Sequence, residues 1–567
     1  MDSSEFETAL RNGIESGRRR QFAQAEKSLL RALELKHDCT DAQLALARVY
    51  AAQSRWEDAI DYLELAVHFE PKAAGAWVEL GVALNMLGRA DAARAALSEA
   101  THLEPRNAAA WIALGGVHKA AEAWPQATEC YRHAVSAAPD SADALCLLGY
   151  ALYQAGNYDE ARRQLEAAVA LAPALLAAHH NLGLVHLETG AASAALACFE
   201  KALAIDPGKI ETRACRAHAL RDLNRLDEAI AGYDSVLADD PQFADAVINR
   251  SYALLMRGDL REGWKAYDAR FTAAGQVGRN FAYPEWRGEP LAGKRLLVYA
   301  EQGLGDEIMF ASCLPDVLAQ AANCIVECNT RLARLFRRSF PSAQVHGGEK
   351  RDDPAWLAEC ATPDYQIAIG SLPCYLRLSA DAFPLRDAYL KADAARSEHW
   401  RARWGGKNLL RVGIAWRGGT LRSRQFARSI PLRNWLPVLR TQGAAFYSLQ
   451  YGNVAGEIDE AMRIGGVQVD QPGAASKDLD ELAAIIASLD LVITVDNTVA
   501  HLAGALGCPV WTLLPAAPEW RYPRNGARMP WYSSMRLFHR SFEEDAAAIM
   551  GRVASGLAQR IESRTFA

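Results

Sequence analysis

The chain has 567 residues, with 62 Lys and Arg against 68 Asp and Glu and a formal net charge of −6. That length exceeds what one hydrophobic core can organise, and the acidic balance lacks the electrostatic footprint of a nucleic-acid binder. No apolar run of about 18 residues occurs and the N-terminus MDSSEFETAL is acidic and polar, so neither a membrane span nor a signal peptide is expected, and a cytoplasmic chain is.

Six prolines, Pro71, Pro105, Pro139, Pro173, Pro207 and Pro241, recur at a constant spacing of 34 residues. A second pattern keeps the same phase: Trp77, Leu80, Gly81, Ala93 and Ala100 precede Pro105, and Trp111, Leu114, Gly115, Ala127 and Ala134 precede Pro139. Two antiparallel helices can approach closely only where side chains are small, as at Gly81 and Ala93. Larger residues such as Leu80 and Leu97 fill the space between them, and the proline closes the second helix. The pattern resembles the tetratricopeptide repeat and predicts an α-solenoid of about seven units over residues 1–272. The first copy (Gly13, Ala25, Leu29, Ala32) has His37 in place of proline, and the last fades near Arg250, as terminal units do.

The eleven cysteines are scattered, which argues against a disulfide framework. Cys324 and Cys328 fall within a strand-like run without a second ligand pair, so no metal site is expected. After a linker at 273–290, short apolar runs alternate with helical stretches, first at 295–300, 323–328 and 364–370, then at 410–416, 444–451, 490–496 and 509–515. These read as buried parallel strands in two nucleotide-binding-type α/β lobes, 291–400 and 401–567, with ligands at the strands' carboxyl ends.

Three loops follow such strands. In EQGLGDEIMFASCLP, Gly303 and Gly305 allow close backbone approach to a ligand, and Asp306 suits a helix N-cap as well as a catalytic carboxylate. In LVITVDNTVAHLAGALG, Asp496, Asn497 and Thr498 lead into a helix N-terminus, a seat for phosphate, with His501 on its first turn as a ligand contact or a buried histidine. Trp520 and Arg521, beyond the next strand, border the site or only pack. The basic loop 417–432 carries Arg417, Arg422, Arg424 and Arg428, of which Arg417 is best placed for a diphosphate.

Together the segments EQGLGDEIMFASCLP, GIAWRGG with RSIPL, and LVITVDNTVAHLAGALGCPVWTLLP resemble the family 9 glycosyltransferases, the ADP-heptose lipopolysaccharide heptosyltransferases and their relatives. The resemblance spans nearly all of 290–540 and implies a GT-B fold of two Rossmann-like lobes, acceptor mainly on the first and nucleotide sugar mainly on the second. It implies an inverting sugar transfer to an acceptor hydroxyl that needs no metal and no cofactor, the nucleotide diphosphate sugar being a substrate. Carried over by motif, Asp306 is the general base, Asp496, Asn497, Thr498 and His501 bind donor phosphate, and Arg417 lies near the diphosphate. Gln450 and Tyr451 sit where base and ribose recognition is expected. The repeats are expected to recruit a protein or glycan acceptor, or a partner.

This chain departs from the heptosyltransferases in its repeats and in having arginine where they usually have lysine, which leaves the donor open. It is also similar to O-linked N-acetylglucosamine transferases in pairing repeats with such a domain. The asparagine ladder of the animal enzyme is missing, however: the phase reads Ala45, Glu79, Ala113, Leu147, Asn181, Cys215. The competing expectation is a repeat scaffold whose glycosyltransferase-like half has lost turnover.

Overall fold

The structure is a computed structural model that describes residues 3–271, 279, 281–349, 354–405, 409–419, 425, 427–473 and 478–565. It is a helical tetratricopeptide-repeat solenoid followed by an α/β region with parallel sheets, of GT-B type. The chain divides into two compact units, one of Met1–Val185 with Ala197–Pro207 and one of His186–Leu196 with Gly208–Ala567.

Among the described residues, sixteen α-helices run from Ser3 to Tyr267 and form eight pairs, one more than the repeat pattern suggests. Left-handed residues mark the turn inside every pair: Arg20, Ser54, Gly88, Glu122, Gly156, Gly190, Asn224 and Gly258, again 34 apart. Four of the eight are not glycine, so this signal is hidden in the sequence. In the first unit a Cβ on Gly81 would lie 2.4 Å from Leu97 Cγ, and one on Gly115 2.5 Å from Tyr131 Cε1. The partner alanines Ala93 and Ala127 are fully buried. The prolines do more than end helices, because the residue six positions on donates to the turn carbonyl: Trp77 Nε1 to Pro71 at 2.8 Å, Trp111 Nε1 to Pro105 at 2.9 Å and His179 Nε2 to Pro173 at 2.9 Å. Gln43 Nε2 does the same to His37 at 2.8 Å, so the first unit keeps the turn without its proline.

In the second unit, β1 (Arg295–Tyr299), β2 (Asn323–Asn329), β3 (Ala343–Gly348) and β4 (Tyr365–Ala368) form a parallel sheet in the order β3-β2-β1-β4. A seven-stranded sheet holds β5 (Leu410–Ala415), β6 (Ala444–Ser448), β7 (Val469–Asp470), β8 (Leu491–Val495), β9 (Val510–Leu514), β10 (Arg528–Met529) and β11 (Tyr532–His539). Its order is β10-β11-β9-β8-β5-β6-β7, and all pairings are parallel except β10 with β11. Every predicted strand is present; β3, β7, β10 and β11 are additional. Cys324 and Cys328 lie buried in β2, where burial pushes the Cys324 thiol up to about 12.

The division between the compact units does not fall at residue 272, the expected end of the solenoid. The seventh pair (Ile210–Asp222 with Leu226–Asp239) and the eighth (Ala244–Arg257 with Leu260–Tyr267) go with the sheets. The eighth pair is held there by aromatic packing: Tyr252 stacks on Trp520 at 5.4 Å with planes 4° apart, and Trp264 and Tyr267 meet Trp520 at 5.8 and 5.1 Å. The helix Ala394–Arg403, which spans the expected lobe boundary at 400, is tied to the second lobe through Trp400 Nε1, which donates to Glu481 at 2.6 Å.

Candidate active site

The loop after β1 is fixed from the eighth helical pair. Gln302 Nε2 donates to Tyr267 OH at 2.5 Å, and Arg270 Nη2 donates to Glu301 Oε1 at 2.9 Å, both charged side chains being almost fully buried. Glu301 also accepts from Gly370 N at 3.0 Å. Burial nevertheless pushes its carboxyl above the ordinary range. The helix begins at Leu304, two residues before Asp306, and Gly303 is its N-cap with no side-chain bond, so Asp306 lies in the first turn and does not fill the capping role. Its carboxylate instead faces Arg521, which donates Nε–H to Oδ1 at 2.6 Å and brings Nη2 to 2.5 Å of the same oxygen.

Across the cleft, Asn497 caps the helix Thr498–Ala505: its Oδ1 accepts from Val499 N at 3.0 Å and Ala500 N at 3.2 Å. Its Nδ2 donates to the Arg417 carbonyl at 3.1 Å, joining the ends of β5 and β8. Asn497 thus occupies two of the amides that a phosphate would use, and Thr498, half-buried, stands at the open start of the helix. His501 is buried, and its Nδ1 lies 2.9 Å from Tyr532 OH. Burial lowers its pKa to about 4, so the imidazole is neutral near neutrality. A Cβ on Gly305 would lie 3.2 Å from His501 Cδ2 and 3.8 Å from Thr498 Oγ1, so glycine there lets the two lobes close on each other.

Arg428, rather than Arg417, is the basic-loop residue that meets the Asp496 carboxylate, at 3.0 Å, and it also reaches Glu519 at 3.9 Å. Arg417 is turned toward Glu457 at 3.3 Å and toward the Tyr451 carbonyl at 3.4 Å. Arg422 and Arg424 lie outside the described residues. Gln450 is buried, with Oε1 accepting from Trp416 N at 2.9 Å and Arg417 N at 2.8 Å, so it braces the end of β5 and keeps only its amide nitrogen in reserve. Tyr451 is exposed, with its hydroxyl 3.4 Å from the Gly419 carbonyl.

The structure therefore brings together Asp306, Gly305, Thr498, His501 and Asp496, while Arg417, Gln450 and Tyr451 form a neighbouring group beyond β5 and β6. Arg521 and Arg428 are the arginines within the first group. Burial acts to lower the Arg521 pKa, but Asp306 and Glu519 outweigh it and hold the guanidinium above its ordinary value. Among the described residues, three carboxylates (Asp306, Asp496, Glu519) face two guanidiniums, and the neutral His501 adds no charge. The sequence leaves Arg521 either bordering the site or only packing; nothing local in WRYPRNG distinguishes it, since its partner is 215 residues away.

A repeat array joined to a two-lobed α/β region defines a tetratricopeptide-repeat chain with a second half of GT-B type. Comparison with known proteins agrees. Residues 471–545 match the family model for glycosyltransferase family 9 (heptosyltransferase), a stretch that contains Asp496, His501 and Arg521 but neither Asp306 nor Arg417. Residues 186–255 match the tetratricopeptide repeat, and residues 3–211 match the C-terminal domain of cilia and flagella-associated protein 70.

Protein FlbA of Caulobacter vibrioides is 38% identical over 320 residues, 53% of this chain and 52% of FlbA, so the chain spans about half the length of that relative. Among solved structures, YrrB, a TPR protein with an unusual peptide-binding site, is 21% identical with a TM-score of 0.30 (33% of this chain, 97% of that one). A thermophilic TPR protein of Thermus thermophilus is 28% identical with a TM-score of 0.28 (32% and 100%). Among the described residues no helix is long and apolar enough to cross a membrane.

Proposed function

We propose that the chain is a glycosyltransferase that moves a sugar from a nucleotide diphosphate donor to an acceptor hydroxyl, with inversion at the anomeric carbon. The observation that carries this reading is the Asp306–Arg521 bond across the cleft, beside the helix end that bears Thr498 and His501. Donor diphosphate draws Arg521 away and frees Asp306. The acceptor hydroxyl then gives its proton to the Asp306 carboxylate while its oxygen bonds to the anomeric carbon. The bond from that carbon to the diphosphate oxygen breaks, and the electron pair leaves on the diphosphate. Arg521, with Arg417 as a second candidate, stabilises that charge together with the N-terminus of the Thr498–Ala505 helix. Gln450 and Tyr451 face the nucleoside. Tetratricopeptide repeats suggest protein partners, and here they recruit the protein or glycan acceptor. The lines that support the reading are the family 9 match over 471–545 and the convergence of these groups.

One observation favours a second reading, a non-catalytic scaffold: the carboxylate assigned as base is already neutralised by Arg521. Calorimetric titration of the intact chain with a panel of nucleotide diphosphate sugars separates the two. Binding of one donor that is lost in Arg521→Gln, followed by transfer that is lost in Asp306→Ala, supports the enzyme. No binding of any donor supports the scaffold.

A further inference from the structure

The segment that carries Trp520 and Arg521 into the cleft also places Ala516, Arg524 and Asn525 in the wall of a separate cavity of about 520 Å³. The volume is that of a small-molecule site. It lies beyond the carboxyl ends of two neighbouring parallel strands: His539, the last residue of β11, and Ala516, two residues past the end of β9 at Leu514, both line it, and Arg540 N donates to Leu514 O at 3.1 Å. Ligands of α/β sheets bind at this edge.

The lining is cationic. Arg524, Arg540 and Arg552 line it with a single carboxylate, Glu544; Arg552 Nη2 donates to Glu544 at 2.9 Å and to the His539 carbonyl at 2.6 Å, and Arg524 Nη2 donates to the Arg221 carbonyl at 3.1 Å. The Nε of Arg540 is cut off from solvent and finds no acceptor among the described residues. His539 donates its Nε2–H to the Gly526 carbonyl at 3.0 Å, and burial keeps the ring below its ordinary pKa, so it adds no charge. Phe542, 51% exposed, stands on the rim with its ring unburied.

We propose that this cavity is an anion site, distinct from the cleft, that takes the phosphate group of a small phosphorylated molecule through Arg540 and Arg552, with Phe542 covering the remainder of the ligand. A guanidinium fork pairs with two phosphate oxygens at once, which a surface lysine does not reproduce. Two sources share this chemistry, free phosphate and a phosphate ester.

The test is calorimetric titration of the full chain with inorganic phosphate, glucose 1-phosphate and AMP, repeated on Arg540→Gln, Arg540→Lys, Phe542→Ala and Arg521→Gln. Arg540→Gln is expected to weaken binding by about tenfold or more and Arg540→Lys by less, with Arg521→Gln leaving this binding in place. Esters that bind more tightly than phosphate, with the difference erased by Phe542→Ala, identify an ester; equal binding of all three identifies free phosphate. Should Arg540→Gln fail to fold, Arg540→Lys and Phe542→Ala carry the comparison. Binding that survives both Arg540 variants but disappears in Arg521→Gln overturns the proposal, as does absence of binding by all three probes at millimolar concentration. Because no sugar transfer is measured, failure of the glycosyltransferase reading leaves this outcome unchanged.

Discussion

Asp306→Asn perturbs the cleft at one point while preserving shape. The ion pair it breaks is largely enclosed, with side-chain exposures of 18% for Arg521 and 15% for Asp306. At 2.6 Å and an effective dielectric of about 20, the gross attraction is about 6 kcal/mol, part of which only offsets desolvation. Removing one partner of a buried pair costs about 3–5 kcal/mol. Asparagine Oδ1 still accepts from Arg521 Nε–H, and Glu519 remains near the guanidinium. The expected loss is therefore about 2–3 kcal/mol, measured as a lower urea midpoint at unchanged slope. A second effect has the opposite sign. If the carboxylate competes with diphosphate for Arg521, the variant binds inorganic pyrophosphate about tenfold more tightly than wild type, measured by calorimetry. Equal or weaker pyrophosphate binding in a folded Asp306→Asn protein would refute the reasoning that Arg521 is exchanged between carboxylate and donor.

Gly81→Ala sets a methyl 2.4 Å from Leu97 Cγ and should cost about 1–3 kcal/mol by chemical denaturation, with no loss predicted for Gly75→Ala, where nothing lies within 4 Å. A neutral result at Gly81 would mean that the helix pair shifts to absorb the methyl. His501 is held at about 4 against an ordinary 6.5, so the unfolded chain takes up the proton first as pH falls. Its contribution is complete above pH 6.5 and is lost by about pH 4, roughly 3 kcal/mol, and His501→Gln should flatten the stability profile over that window. Because the seventh and eighth pairs belong with the sheets, deletion of residues 1–185 should leave a folded α/β unit. Deletion through residue 272, which removes Tyr252, Trp264 and Tyr267, should expose Trp520 and yield insoluble protein; equal solubility of the two truncations would contradict the packing.

The repeat period and the strands are legible in the sequence because each is a local pattern. Six prolines and the small residues at Gly81 and Ala93 act within one helix pair, and runs such as LVITV must be buried wherever they sit. The strands that escape the reading have weaker signals: β3 is the glycine-ended AQVHGG at a sheet edge, and in β11 YSSMRLFH the exposed serine and arginine interrupt the apolar run. The eighth pair is only half legible, as a copy after Pro241 that fades near Arg250, while its turn at Gly258 keeps the repeat spacing.

The site divides in the same way. Asn497 as a helix cap follows from residue type beside a strand end and is seen, whereas Gly305, read as a point of ligand approach, is found packed against His501. That Asp306 bonds Arg521, that Arg428 and not Arg417 reaches Asp496, and that Tyr267 and Arg270 hold the loop after β1 are decided only by tertiary structure. Each is a charge or hydrogen-bond partner chosen across distant parts of the chain, where burial makes pairing obligatory but local sequence does not say with whom.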